Sequence, residues 1–123
     1  MMIRRAYIGI LDTASDSEGN MYDDWRYSYI GKTGVIAICE ADSADQARNS
    51  RICFFPPEPL GSYLKTSYGD IRKTADTLSI ATRNSQYSFG IDNDCLSDEL
   101  KEIWKKNMQL VFPEILDQIE KIL

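Results

Sequence analysis

The 123-residue sequence contains no histidine. That absence excludes Ser-His-Asp and Cys-His catalysis, histidine-ligated metals and a histidine pH switch. Cysteine is scarce. Cys39, Cys53 and Cys95 form an odd, widely spaced set without a CxxC pair, so neither a zinc site nor a disulfide framework is expected, and all three read as reduced thiols. Positive charge is the minority sign: 14 Lys and Arg stand against 19 Asp and Glu, for a net charge of −5. A nucleic-acid polymer or an anionic membrane would need the opposite balance. Long apolar runs are missing as well, with none near the roughly 20 residues of a membrane span. Tyr7, Gly9 and Asp12 interrupt the N-terminal segment before a secretory apolar region can form. These absences together predict a cytoplasmic protein.

What is present is ordinary for a folded chain: 43% hydrophobic and 27% charged residues, too apolar for disorder and the right size for one domain over residues 1–123. Hydrophobic periodicity divides it. Arg5 to Leu11 alternates with both faces fairly apolar, as in a central strand. Residues 12–24 are polar and contain Gly19 and Asn20, which suits an exposed loop. Trp25 to Ile30 alternates again, with Trp25, Tyr27 and Tyr29 on one face and Arg26 on the other. A turn over Gly31–Gly34 leads to the apolar run Val35–Cys39, which reads as a buried strand. Ser43 suits the N-cap of a short helix through Arg48. Three prolines in Phe54-Phe55-Pro56-Pro57-Glu58-Pro59 make that stretch a rigid loop or an edge, and Leu60–Asp70 a loop with a partial strand. Thr77–Thr82 and Gln86–Ile91 read as a strand pair around a tight turn in which Asn84 takes up a left-handed conformation.

The period changes near the C-terminus. Ser97 caps a helix whose first turn holds Asp98 and Glu99, complementing its dipole. Leu100, Ile103, Trp104, Met108 and Val111 form one apolar stripe, Pro113 breaks the helix near Phe112, and Ile115, Leu116, Ile119, Ile122 and Leu123 continue the apolar face. The fold class is therefore α+β: an antiparallel sheet over the first three-quarters, with two C-terminal helices packed on it.

Two motifs fail on inspection. Gly31-Lys32-Thr33 has the end of a phosphate-binding loop, but Arg26 occupies the position of its first glycine and a strand rather than a helix follows. Setting Gly19 at the sixth position of a calcium loop puts Ala14 first and Trp25 twelfth, where carboxylates are required. No carboxylate pair is marked for acid–base work, and no cysteine has a neighbouring base. An enzyme is not expected, and neither is a cofactor.

The distinctive feature is an inventory of 7 Tyr, 4 Phe and 2 Trp interleaved with Arg26, Arg51, Arg72 and Arg83. Rings and guanidinium groups on one surface stack planar ligands and grip phosphates. In a net-acidic protein, such a local patch suits a small anion better than a polymer.

The strand Arg5-Ala6-Tyr7-Ile8-Gly9, the hairpin from Thr82-Arg83-Asn84-Ser85 through Gln86-Tyr87-Ser88-Phe89 and the closing helix pair carry a resemblance. The layout is similar to that of the phage Thoeris-inhibiting nucleotide-sponge family. The resemblance implies a homo-oligomer with pockets between protomers that sequester cyclic ADP-ribose-type signals without cleaving them, in the host bacterial cytoplasm. It further implies ring stacking by Phe54, Tyr68 or Tyr87, phosphate binding by Arg26, Arg51 and Arg83, and ribose binding by Asn84. For Arg83 and Asn84, turn formation is the competing reading. The expected function is capture of a small cyclic nucleotide to block an anti-phage defence. The alternative is a protein–protein inhibitor or immunity-type module that presents its acidic loop, residues 12–24, to a basic partner.

Overall fold

Strand pairing in this chain ends in closure. A computed structural model describes residues 2–40 and 50–123; the short helix expected from Ser43 through Arg48 lies outside them. The strands are β1 (Met2–Asp16), β2 (Thr33–Glu40), β3 (Ser50–Phe55), β4 (Leu64–Lys65), β5 (Gly69–Lys73), β6 (Thr77–Thr82) and β7 (Ser85–Ile91). They are hydrogen-bonded in the order β2-β1-β7-β6-β5-β3-β4, and β2 also pairs with β3, so six strands close a barrel and β4 adds to β3. Helices α1 (Asp98–Val111) and α2 (Pro113–Ile122) follow. This is the α+β architecture expected, with barrel closure added.

Two apolar cores result, one on each face of β2 and β3. Ile36 and Ile38 of β2, with Ile52 and Phe54 of β3, meet Leu11, Leu78, Ile80 and Phe89 in the barrel interior. Val35, Ala37 and Cys39, with Cys53 and Phe55, face outward and are covered by Trp104, Met108, Leu116 and Ile119 of the helices. Burial on both faces is why β2 reads as an unbroken apolar run.

β1 is longer than its apolar stretch. Its first part, from Met2 to Ile10, pairs with β2, and the part from Gly9 to Asp16 pairs with β7. Register shifts between Ile3 and Arg5 and between Leu11 and Thr13 let one strand serve both neighbours. Asp12–Asp16, expected in a loop, is therefore strand, with Ala14 fully buried. Tight coiling also brings backbones together. A Cβ on Gly9 would lie 2.1 Å from the Gly90 carbonyl oxygen, and one on Gly69 2.3 Å from that of Ala81; only glycine fits such approaches.

Three further local expectations are corrected. Trp25–Tyr29 is a 3-10 helix, not a strand. The Asp24 carboxylate accepts the Arg26 N–H at 2.9 Å, and the Ser28 hydroxyl donates to the Trp25 carbonyl at 2.8 Å. Such local bonds satisfy the backbone without a partner strand. The three-ring strand stripe is therefore replaced: Trp25 and Tyr27 are exposed, Trp25 meets the Tyr29 ring edge-to-face at 6.0 Å, and the Tyr29 hydroxyl bonds Ser62 Oγ at 2.7 Å. Secondly, β3 runs through Phe54 and Phe55, and Pro56, which has no N–H, follows its last paired residue. Thirdly, the β6–β7 turn contains no left-handed residue, since no described non-glycine residue has a positive φ. Thr82 braces that turn instead, its hydroxyl accepting the Ser85 N–H at 3.1 Å and donating to the Ser85 carbonyl at 3.2 Å.

The C-terminal cap and helix break stand as expected, while Val111, Ile122 and Leu123 of the expected apolar faces are exposed. Ser97 Oγ accepts the Leu100 N–H at 3.2 Å, and the helices divide at Phe112 with Pro113 opening α2. Trp104 fastens α1 to the barrel by donating from Nε1 to the Phe55 carbonyl at 3.1 Å.

Candidate functional site

On β5, β6, β7 and the second half of β1, every second side chain turns away from the interior. Cross-strand register arranges these outward residues in two rows. One runs Thr13, Ser88, Ser79, Arg72, and the other Ser15, Gln86, Ala81, Asp70. Ser79, Ala81 and Ser88 are short where the rows cross β6 and β7, and a concavity of about 140 Å3 is lined by both rows. Among the described residues, the hydroxyls of Thr13, Ser15, Ser79 and Ser88, the Gln86 amide and the Arg72 guanidinium make no hydrogen bond or ion pair with one another or with the rest of the chain. The face thus offers unspent donors and acceptors of the kinds that bind ribose and phosphate.

A guanidinium and a ring flank this face. Tyr68 immediately precedes β5, and Arg51 Cζ stands 4.2 Å from the centre of its ring. Arg51 is held in place by donation from Nε to the Thr66 carbonyl at 2.9 Å. Gly69 pairs with Thr82, so Tyr68 lies next to the Arg83–Asn84 turn. Both turn residues are exposed. Of the residues predicted from the sequence, Arg51 and Tyr68 are brought into contact, and Arg83 is brought beside them.

Arg26, Asn84 and Tyr87 form a second group on the other side of that turn. The Arg26 guanidinium lies 4.0 Å over the Tyr22 ring and 5.2 Å over Trp25, and its NH1 donates to Asp24 at 2.6 Å. Its buried Nε has no hydrogen-bond partner among the described residues. The Tyr22 hydroxyl is 2.5 Å from Ser85 Oγ and donates to the Asn84 carbonyl at 3.3 Å. Arg26 and Tyr22 thereby strap the 3-10 helix to the end of β7. Burial pushes the Tyr87 hydroxyl above its ordinary pKa, an effect that the Arg26 charge and a bond with Ser85 partly offset.

Two expected stacking residues are corrected here. Phe54 is fully buried and packs on Phe89 at 5.5 Å, and Tyr87 is 5% exposed. Strand alternation directs both side chains into the barrel, so neither presents a face to a ligand outside it. The residues missed are those of the two rows. Their signal was present as small or polar residues at alternate positions, Ser79 and Ala81 on β6, Gln86 and Ser88 on β7. Which face they shared, and what lay opposite, depended on the register of four strands.

The cysteines lie elsewhere. Cys39 and Cys53 sit diagonally across β2 and β3 beneath the helices. The Cys39 thiol is pushed up by its hydrogen bond with Cys53 and by burial. Cys95 is half-buried and also pushed up, by burial and by the nearby Asp92. No group of three or more Cys, Asp or Glu side chains among the described residues is arranged to hold a metal ion, and no helix among them is long and apolar enough to cross a membrane. Comparison with protein-family models, with curated proteins and with solved structures gives no match.

Proposed function

We propose that the protein is a non-enzymatic binder of a small anionic nucleotide of the cyclic ADP-ribose type, held on the polar strand face. The observation that supports this is the Arg51–Tyr68 pair at 4.2 Å beside a concavity of unpaired hydroxyls, an amide and the Arg72 guanidinium. The Tyr68 side offers base stacking, Arg51, Arg72 and Arg83 offer phosphate binding, and the hydroxyls with Gln86 offer ribose binding. A volume of 140 Å3 falls short of the roughly 300–1,000 Å3 that encloses a drug-sized ligand. One protomer therefore covers part of the nucleotide, and a second copy of the chain covers the remainder. Capture of this kind deprives a bacterial anti-phage defence of its signal.

Calorimetry with cyclic ADP-ribose isomers tests the reading. Micromolar or tighter binding is expected, with the ligand recovered intact by mass spectrometry after denaturation. Arg72→Ala and Tyr68→Ala should each weaken binding at least tenfold. Absence of heat with folded protein overturns the reading, and recovery of a cleaved ligand replaces binding by catalysis.

A second reading, the protein–protein inhibitor, draws on one observation: Met21, Trp25 and Tyr27 are exposed beside Glu18, Asp23 and Asp24. Large apolar anchors rimmed by one charge sign suit a basic partner. Asp16 and Asp24 are engaged locally, accepting from Glu18 and Asn20 and from Arg26, so Glu18→Gln with Asp23→Asn is the cleaner test. Inhibition that survives this double variant and shows no salt dependence removes the reading.

A further inference from the structure

On the helix-covered side of the barrel, a pocket of about 200 Å3 shares no residue with the polar strand face. Ile8 and Val35, directly opposite one another on β1 and β2, form its floor. Leu96, Trp104 and Leu123 wall it, and Lys101 and Lys105 complete the lining with them. The sequence of α1 dictates this arrangement. Lys101 has Trp104 three residues and Lys105 four residues further on, so both neighbour it on the helix surface, the indole on one side and the second lysine on the other. Trp104 is immobilised by its bond to the Phe55 carbonyl, and Leu96 is buried just ahead of the Ser97 cap.

Charge and shape agree. Among the described residues, neither lysine makes an ion pair or a hydrogen bond, and a lysine stem lies along apolar surface while its ammonium stays in water. The lining is otherwise aliphatic and aromatic. An apolar cavity of about 150 Å3 takes up benzene, so 200 Å3 accommodates a chain of about six to eight carbons. An apolar body combined with one negative charge is the chemistry that satisfies both features.

We propose that this pocket binds a small aliphatic carboxylate, its chain against Ile8, Val35 and Leu96 and its carboxylate between Lys101 and Lys105. The site is independent of the nucleotide reading, and the two stand or fall separately.

Octanoate is the probe, followed by Trp104 fluorescence in Trp25→Phe protein so that only the pocket indole reports. A saturable change is expected. Affinity should rise roughly fourfold per methylene from butanoate to octanoate, then level off as the pocket fills. The Lys101→Gln/Lys105→Gln variant, altered at partly or fully exposed side chains, should bind octanoate roughly tenfold more weakly while keeping wild-type affinity for 1-octanol. Ile8→Phe, which fills the floor, should abolish the response in protein shown by circular dichroism to be folded. A wild-type protein without saturable response overturns the proposal. So does a lysine variant that retains octanoate binding or loses both probes equally.

Discussion

Replacing Gly9 by alanine tests barrel closure directly. The new Cβ would lie 2.1 Å from the Gly90 carbonyl oxygen and 2.8 Å from Ile36 Cδ1, whereas a relaxed carbon–oxygen contact is about 3.3 Å or longer. β1 and β7 must then part by about 1 Å, at a residue that also pairs with Gly34 of β2. Overpacking costs about 1–3 kcal/mol, and a weakened ladder bond adds about 0.5–1.5 kcal/mol. Reduced freedom of the unfolded chain returns about 0.4–1 kcal/mol. A net loss of about 1–4 kcal/mol follows, or close to 10 °C in Tm at mid-range for a chain of this length. Gly90→Ala is the internal control, because its Cβ meets only the exposed Asp12 carboxylate at 3.2 Å, and a change within about 1 kcal/mol is expected. Urea unfolding, followed by far-ultraviolet circular dichroism and tryptophan fluorescence at matched m-values, measures both. A Gly9→Ala protein that unfolds at the wild-type urea midpoint refutes the argument, as does a Gly90→Ala protein that loses as much. The same strand separation moves Thr13 and Ser15 away from Ser88 and Gln86, so nucleotide affinity should fall together with stability.

Trp104→Phe removes the bond to the Phe55 carbonyl in a buried position; a loss of about 1–3 kcal/mol from the unpaired carbonyl is expected in urea unfolding, in addition to the cost of the vacated space, and an unchanged urea midpoint refutes it. Tyr87 ionises above its unfolded value of 10.0, so its contribution is complete below pH 10 and is lost as pH rises through the higher folded value. Urea midpoints should therefore fall at alkaline pH, and Tyr87→Phe but not the exposed Tyr27→Phe should reduce the decline. With a disulfide-exchange reagent, native protein should react at Cys95 alone, Cys39 and Cys53 being buried. Cys95→Ser should then abolish the reaction until the protein is unfolded.

Local signals predicted what local physics decides. The Ser97 cap, the division at Phe112–Pro113, the double-faced strand Val35–Cys39 and the β6–β7 pair depend on neighbours a few residues away, and each stands where the sequence placed it. Trp25–Tyr29 misled because alternation over so few residues does not distinguish a strand from a helical turn, and the deciding bonds came from Asp24 and Ser28. Phe54 and Tyr87 misled differently. An aromatic ring on a strand has the same sequence signature whether it faces a ligand or the core, and only the register of the partner strands assigns the face.

From composition and pattern alone the chain was determined to be an α+β domain without histidine chemistry, with its apolar residues in strand and helix periods. Closure of the sheet, the two rows of polar side chains, the Arg51–Tyr68 contact and the lysine-lined pocket were decided by tertiary structure. The reason is geometric. Thr13, Arg72, Ser79 and Ser88 belong to four different strands, and their side chains become neighbours only when long-range hydrogen-bond register places β1, β7, β6 and β5 side by side.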